Sequence, residues 1–436
     1  MAGFEGALPL DAFDVCAANP AREHVAEPDA ALKLVEELSN GQALRKIKLS
    51  NKSYGAKAAK AIAEKLASLR GVKDVDVSDV IAGRPEAEAL EVLETLATAL
   101  AKASGYGDAK RSRITSLDVS DNALGQKGLD ALLPLFMGAA PLVHLKTCNN
   151  GMSSAAAHQL KDVLTSKGVT SLESFHYFNN MSGDEGAKAI AEIVQKSPDL
   201  TDLRFSGTRA GRAGSLVFAE ALRARQLLVT VDLADNTFGT DGGQLLGEWL
   251  SAANGASPLE VLNVRDCSLG DDGFGELCSG LEKCDNLRAL DFSGNELTAD
   301  AFTSTKWLAS CASTLEVLQV EENEFSSRGA GRLAKGFSAS QFPALSTFVC
   351  RASEIGSRGA LALARAVVKA APSLKALELD GNGLSDEALA ELATVVPADV
   401  LGELEDNDED LCDEDELDDA DDVDDLAAAV AGVAVA

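Results

Sequence analysis

The stretch Leu142-Val143-His144-Leu145-Lys146-Thr147-Cys148-Asn149-Asn150-Gly151-Met152 has the skeleton L-x-x-L-x-T-x-x-N-x-M. Leu145 and Thr147 are two residues apart, so on a short strand both face the same side, toward a core. Asn150 follows the strand, where a buried amide can bond turn backbone that has no sheet partner. Asn149 is not required by this frame. It stands beside the anchor at the rim, and a residue the frame leaves unexplained is a candidate for function.

The frame recurs along the chain. Its leading apolar positions are Leu44, Val72, Ile114, Leu142, Leu172, Leu200, Leu228, Leu259, Leu287, Leu315, Leu345 and Leu374. The spacings are 28 to 31 residues except for 42 between Val72 and Ile114, which implies an insertion there. The anchor position holds Asn122, Asn150, Asn180, Asn236, Asn295, Asn323 and Asn382, with Thr208, Cys267 and Ser353 in other units. This register predicts about twelve leucine-rich repeats. Each strand motif is followed by a helical pattern, as in Ala56 to Leu69, Ala187 to Val194, and Leu245, Leu246, Trp249 and Leu250. Parallel strands stack about 4.8 Å apart, whereas helices need roughly 10 Å. The expected fold is therefore an α/β leucine-rich repeat horseshoe, a solenoid with strands on the concave face, helices on the convex face and right-handed crossovers. Such a solenoid escapes the size limit of a single core, because each unit packs only on its neighbours.

Residues 1–40 do not follow the frame and are expected to cap the first repeat. Within them Asp29 to Leu38 reads as a helix with Asp29 as its N-cap. Repeats should fill 41–400, and 401–436 should be an acidic, disordered tail. Glu403 to Asp425 holds 16 acids in 23 residues; without them the net charge of −30 becomes −14. An acidic body with an acidic tail argues against nucleic acid and anionic membranes and favours a basic protein partner. The eight cysteines include no C-x-x-C pair and read as reduced thiols of an intracellular protein. The four histidines show no metal-ligand spacing, and no secretory signal is recognised. The longest apolar run, Leu426 to Ala436, is too short to span a bilayer.

No phosphate loop, zinc-protease motif or nucleophile elbow is present. No cofactor or metal is expected, and the rim becomes the place to look. Asp79-Val80-Ile81-Ala82-Gly83-Arg84-Pro85-Glu86 departs from the frame after the second strand. Pro85 suits the first helical position, and Glu86 and Glu88 suit the first turn, which would hold Arg84 at a strand-to-helix corner. Asn149 is the second candidate. The acids Asp121, Asp235 and Asp266, each beside an anchor, could together present negative charge to a basic partner.

At these residues the chain resembles the Ran GTPase-activating proteins, especially those of plant and algal type. The matching pieces are Val80 to Glu86 with Glu88 to Val92, Leu117 to Gly125, Cys148 to Met152, and Phe178 to Ala187, followed by an acidic tail. The similarity covers about residues 40 to 425. It implies stimulation of GTP hydrolysis on Ran in trans, in nucleocytoplasmic transport. The nucleotide, magnesium and catalytic glutamine would belong to the GTPase, and the chain would be an activator and not itself the enzyme. By this resemblance Asn149 orients that glutamine, and no arginine finger is needed. Arg84 matches the family's loop arginine, whose role is interface or loop support. Asp121, Asn179, Asp235 and Asp266 would meet the partner. That partner would be a GTP-bound Ran-type GTPase, alone or with a Ran-binding protein, engaged by a monomer.

Plant relatives carry an N-terminal Trp-Pro-Pro module, whereas residues 1 to 40 contain no Trp. A cytoplasmic location is therefore expected, with the nuclear envelope as the alternative. The competing function is a leucine-rich repeat scaffold or inhibitor without activating ability, like ribonuclease inhibitors. Those relatives are cysteine-rich, and eight cysteines in 436 residues argue against them.

Overall fold

Three-residue strands with one apolar residue at the centre recur at the predicted frames. The computed structural model describes residues 11–408 except 18, 106–112, 124, 138–141, 167 and 253–256. The chain divides into two compact units, Met1–Arg209 and Ala210–Ala436.

In the first unit seven parallel strands are bonded in chain order: Ala12–Asp14, Lys46–Lys48, Asp74–Asp76, Ser116–Asp118, His144–Lys146, Ser174–His176 and Asp202–Arg204. The register places like on like, so Leu117, Leu145 and Phe175 are successive Cα partners. These central residues, with Ile47, Val75 and Leu203, are fully buried. Thr147 is buried beside Leu145, as the alternation requires. The second unit repeats the scheme with six strands: Thr230–Asp232, Val261–Asn263, Ala289–Asp291, Val317–Gln319, Thr347–Val349 and Ala376–Glu378. All twelve predicted frames carry a strand, each followed by a helix, so the α/β leucine-rich repeat class is what the chain adopts. The predicted helical patterns fall on Ala56–Leu66, Gly183–Gln195 and Gly239–Ser251, the first ending three residues before the expected Leu69. The 42-residue spacing is occupied in part by the long helix Glu86–Ala103.

A thirteenth strand, Ala12–Asp14, comes from the segment read as lying outside the frame, and it pairs with Lys46–Lys48. Part of its signal is present in the sequence. Leu10-x-x-Phe13-x-Val15 has the apolar spacing of the repeat, although the anchor position that follows holds Ala18 in place of asparagine. Phe13 and Val15 are buried, while positions 10 and 18 lie outside the described residues. The helix expected over Asp29 to Leu38 is Pro28–Leu34, with Glu27 at its N-cap. Pro28 fixes the helical φ one residue earlier, so Asp29 belongs to the first turn. Val35 and Leu38 are buried beyond the helix, and Leu32 is exposed.

At the other end, residues 400–408 are bonded to the last repeat, although acidity alone predicts a disordered tail from 401. Gly402 N donates to Leu377 O at 2.9 Å, and Leu377 N donates to Val400 O at 2.8 Å. Asn407 Oδ1 accepts from Asn382 N at 2.9 Å, which extends the anchor series by one rung. Disorder therefore does not describe 401–408; the rest of the predicted tail lies outside the described residues.

The anchors interlock. Asn150 Nδ2 donates to Val119 O at 3.1 Å, and Asn150 Oδ1 accepts from Asn122 N at 2.9 Å. Asn180 Oδ1 accepts from Asn150 N at 3.2 Å and from Met152 N at 3.1 Å. Each buried amide thus satisfies turn backbone of its own repeat or of the one before it, which a hydrophobic residue could not do. Asn295, Asn323 and Asn382 do the same in the second unit.

Candidate functional site

The residue before each anchor must turn the chain out of the strand, and it does so with positive φ. Asp121 has φ 62°, Asn149 51° and Asn179 52°. In each case the backbone N–H donates at 2.9 Å to the next repeat: Asp121 to Cys148 O, Asn149 to Phe178 O and Asn179 to Ser206 O. Asn and Asp tolerate this left-handed conformation better than most side chains. The frame therefore does ask something of Asn149, contrary to the reading from periodicity. Asp235 (φ 54°) and Asp266 (φ 52°) occupy the same turn position in the second unit.

Three of the rim side chains form a rail. Asn149 Nδ2 donates to Asp121 Oδ1 at 2.8 Å, and Asn179 Nδ2 donates to Asn149 Oδ1 at 3.0 Å. All three residues are exposed. An ionised carboxylate only accepts, so the nitrogen end of the Asn149 amide must face Asp121. One N–H and one oxygen lone pair of Asn149 remain to be offered outward, because each end of a primary amide can make two bonds. Beneath the rail, Cys148 is buried, and burial pushes its thiol up to about 11. It is an inert packing group.

Arg84 is held differently. Its Nε donates to Ser53 Oγ at 3.0 Å and its Nη2 to Ser53 O at 2.7 Å. Ser53 is fully buried, and its Oγ donates to Ala82 O at 2.6 Å. Gly83, at φ 72°, supplies the turn that folds the guanidinium back onto the preceding repeat. Pro85, predicted at the first helical position, is the N-cap of Glu86–Ala103, with φ −57° and ψ 145°. Glu86 and Glu88 sit in the first turn as predicted. Glu88 Oε1 also accepts from Ala56 N at 3.1 Å, capping the neighbouring helix.

The structure thus brings Asp121, Asn149 and Asn179 together and bonds Arg84 to Ser53 instead. Asp235 is exposed in the second unit. Asp266 Oδ2 lies 3.3 Å from Arg265 Nε, and its Oδ1 lies over Gly294, 2.0 Å from where a Cβ would stand. Arg265 also pairs with Glu321 and Glu322, both at 2.6 Å. Asp266 therefore shares one guanidinium with two closer carboxylates and keeps an exposed negative charge.

Sequence reasoning missed what holds the Arg84 corner. Lys52 is fully buried at the anchor position of the first frame. Its Nζ donates to Asn19 O at 2.9 Å and to Ala21 O, and lies 3.6 Å from Glu23 Oε2. Arg22 pairs with Asp79, and Asn51 Nδ2 donates to Pro20 O at 2.7 Å. The N-terminal segment therefore covers the first two rim positions. Counting eight residues on from Leu44 would have placed Lys52 in the core and raised the question of its partners.

One cluster resembles hydrolytic chemistry but lacks its geometry. His176 Nε2 is 2.7 Å from Asp202 Oδ2 and 3.4 Å from Ser174 Oγ. Acid and hydroxyl address the same ring nitrogen, so the imidazole cannot relay a proton between them. Among the described residues no group of three or more potential ligands could hold a metal ion, and no helix is long and apolar enough to cross a membrane.

Comparison with known proteins gives the lineage. A leucine-rich repeat family model matches residues 114–133, 226–247, 256–278 and 370–393. RAN GTPase-activating protein 2 of Arabidopsis thaliana is 35% identical over 406 residues, covering 91% of this chain and 70% of that protein. The chain belongs to the Ran GTPase-activating protein family. Ran GTPase-activating protein 1 of Saccharomyces cerevisiae is 26% identical over 282 residues, covering 61% of the chain and 67% of that protein. A ribonuclease inhibitor of Sus scrofa is 26% identical over 267 residues, covering 61% of the chain and 57% of the inhibitor.

Proposed function

We propose that this protein stimulates GTP hydrolysis by a Ran-type small GTPase, acting in trans through the rim of its first unit. The observation that carries the reading is the exposed Asn149 amide, bonded on both flanks by Asp121 and Asn179, in a chain of this family. Phosphoryl transfer to water is mainly a problem of positioning and electrostatics. An oriented amide offering one donor and one acceptor suits the side-chain amide of the GTPase's catalytic glutamine, which has the complementary pair. Asn149 would hold that glutamine against the attacking water, while nucleotide and magnesium stay with the GTPase.

Arg84 acts as a brace for the corner, because its Nε–H and one Nη2–H are bonded to Ser53. Asp121 and Asn179 flank the contact, and the Asp121 carboxylate adds negative charge for a basic surface of the partner. The partner is engaged in its GTP-bound form by a monomer in the cytoplasm. The test is single-turnover GTP hydrolysis by Ran with and without the protein. Acceleration that follows activator concentration supports the reading. Binding without acceleration would favour the scaffold or inhibitor reading, which the similarity to ribonuclease inhibitor keeps in play.

A further inference from the structure

The rail at the rim does more than place three polar groups side by side. Asn149 is exposed, and an exposed asparagine amide ordinarily rotates and flips between two nearly equivalent orientations. Here the two neighbours break that symmetry. Asp121 Oδ1, 2.8 Å away, accepts only and selects the nitrogen end. Asn179 Nδ2, 3.0 Å away, donates to the oxygen end. A donor and an acceptor on opposite flanks agree on one orientation. Reversing the amide would set Asn149 oxygen against the Asp121 carboxylate and would force Asn179 to turn its own amide as well, so the charge at Asp121 fixes the polarity and Asn179 reinforces it.

The flanks are themselves held. Asp121, Asn149 and Asn179 each anchor their backbone N–H to the following repeat at 2.9 Å, which fixes the spacing of the three side chains. The buried series Asn122, Asn150 and Asn180 runs one residue along and ties the same turns together. The rail therefore sits on rigid backbone, and its polarity is set by a single charge at one end.

We infer that Asp121 and Asn179 are positioning residues that clamp the Asn149 amide in one orientation, presenting its remaining N–H and carbonyl lone pair to the partner in fixed places. The inference rests on the proposed GTPase-activating reading for its consequence in catalysis, but the clamp itself has a readout independent of activity. A residue that merely contacted the partner, or merely stabilised the turn, would leave the orientation of the neighbouring amide alone.

The experiment pairs two measurements on the full chain. The first follows the side-chain amide signals of Asn149 by 1H–15N NMR, assigned by their loss in Asn149→Gly. The second is single-turnover GTP hydrolysis by Ran at saturating activator, together with the affinity for GTP-bound Ran. In Asp121→Gly, which suits the positive φ at this position, the Asn149 signals should shift and exchange faster with solvent, and the rate should fall roughly tenfold with affinity little changed, as misplacement of a reacting group predicts. Asp121→Asn, which can still offer an acceptor, should recover most of the rate. Asn179→Asp, nearly the same shape but unable to donate, should lose at least as much as Asn179→Gly. Unchanged Asn149 signals in both Asp121→Gly and Asn179→Gly would overturn the clamp. So would a loss of rate matched by an equal loss of affinity, which would make Asp121 a partner contact. If the unaltered protein fails to accelerate hydrolysis, the GTPase reading falls, and the amide signals alone decide the clamp: a shift supports it and no shift refutes it.

Discussion

Replacing Asn149 and Asn150 one at a time separates function from folding at adjacent residues. Asn150 is 4% exposed. Asn150→Ala removes the acceptor that the buried Asn122 N–H meets at 2.9 Å. It also removes the donor to Val119 O, but that carbonyl still accepts from Asn122 Nδ2 at 2.9 Å. One orphaned N–H thus dominates the loss, which comes to about 1–3 kcal/mol. For a cooperative unit of about 200 residues this lowers the melting temperature by roughly 2–4 °C per kcal/mol.

Asn149 calls for a different substitution. Alanine at φ 51° would add left-handed strain of about 1 kcal/mol and blur the comparison. Glycine carries no such strain, and Gly207, Gly294 and Gly381 already occupy this turn position in other repeats, at φ 58°, 63° and 70°. Asn149→Gly forfeits only two exposed hydrogen bonds, so stability should change by less than about 0.5 kcal/mol. Stimulated hydrolysis by Ran should fall by roughly 10²-fold, the scale of deleting one hydrogen bond that matters chiefly in the transition state. Affinity for the GTP-bound partner should change far less. The assay is thermal melting, partner binding and single-turnover hydrolysis on both variants. A wild-type rate for Asn149→Gly, or an Asn150→Ala variant that melts unchanged, would refute the reasoning.

Further outcomes follow from other contacts. Arg84→Ala and Ser53→Ala should weaken stability and stimulated hydrolysis together, with less than additive losses in the double variant, because both remove the Nε–Oγ bond while the Nη2 bond to Ser53 O survives Ser53→Ala; a strictly additive rate loss would place Arg84 on the partner instead. Truncation after residue 408 should leave melting unchanged, whereas truncation after residue 402 should lower it, because Asp406, Asn407 and Asp408 are bonded to Asp380 and Asn382; equal melting of the two forms would count against that rung. Burial works against ionisation of Glu321, yet hydrogen bonds from Arg351 and Arg265 outweigh it and hold its carboxyl below the usual range. A depressed folded-state pKa contributes stability that is present above the unfolded value of about 4.3 and is lost as pH falls through the folded one. Glu321→Gln should therefore flatten the acid limb of the stability profile below about pH 4, which denaturant titration at several pH values would show.

Much of the fold was legible because leucine-rich repeats advertise themselves by register. Each predicted leading apolar residue precedes a strand by two positions, and the anchor asparagines are buried where the frame puts them. The misses have physical causes. Ala12–Asp14 escaped because its frame, led by Leu10, stands 34 residues before Leu44, outside the period being counted, and lacks the anchor asparagine. The clasp of Lys52 on Asn19, Ala21 and Glu23 is a long-range pairing of a cation with backbone carbonyls and one carboxylate, which no local pattern encodes. Residues 400–408 were hidden by acidity: composition argued for disorder, but a short acidic stretch can still dock when backbone groups and one asparagine complete an existing ladder.

The rim shows why the residue proposed to act, Asn149, can look both dispensable and conspicuous from sequence. Positions 51, 79, 121, 149, 179, 207, 235, 266, 294, 322, 352 and 381 all have positive φ, and all except Glu322 and Ala352 are Asn, Asp or Gly. Backbone geometry thus accounts for an asparagine at 149, and geometry alone would be served as well by glycine. What the backbone does not account for is the company. In the first unit Asn51 and Asp79 turn to the N-terminal segment, through Pro20 and Arg22. Asn149 is instead bonded through its side chain to the rim residues on both flanks, one an obligate acceptor and the other a donor. A residue recruited by a turn's need for left-handed backbone has there acquired a fixed amide at an exposed edge. On the proposed reading, that arrangement would offer a partner's side-chain amide a donor and an acceptor already in place, so the fold would meet the ordering cost before the partner arrives.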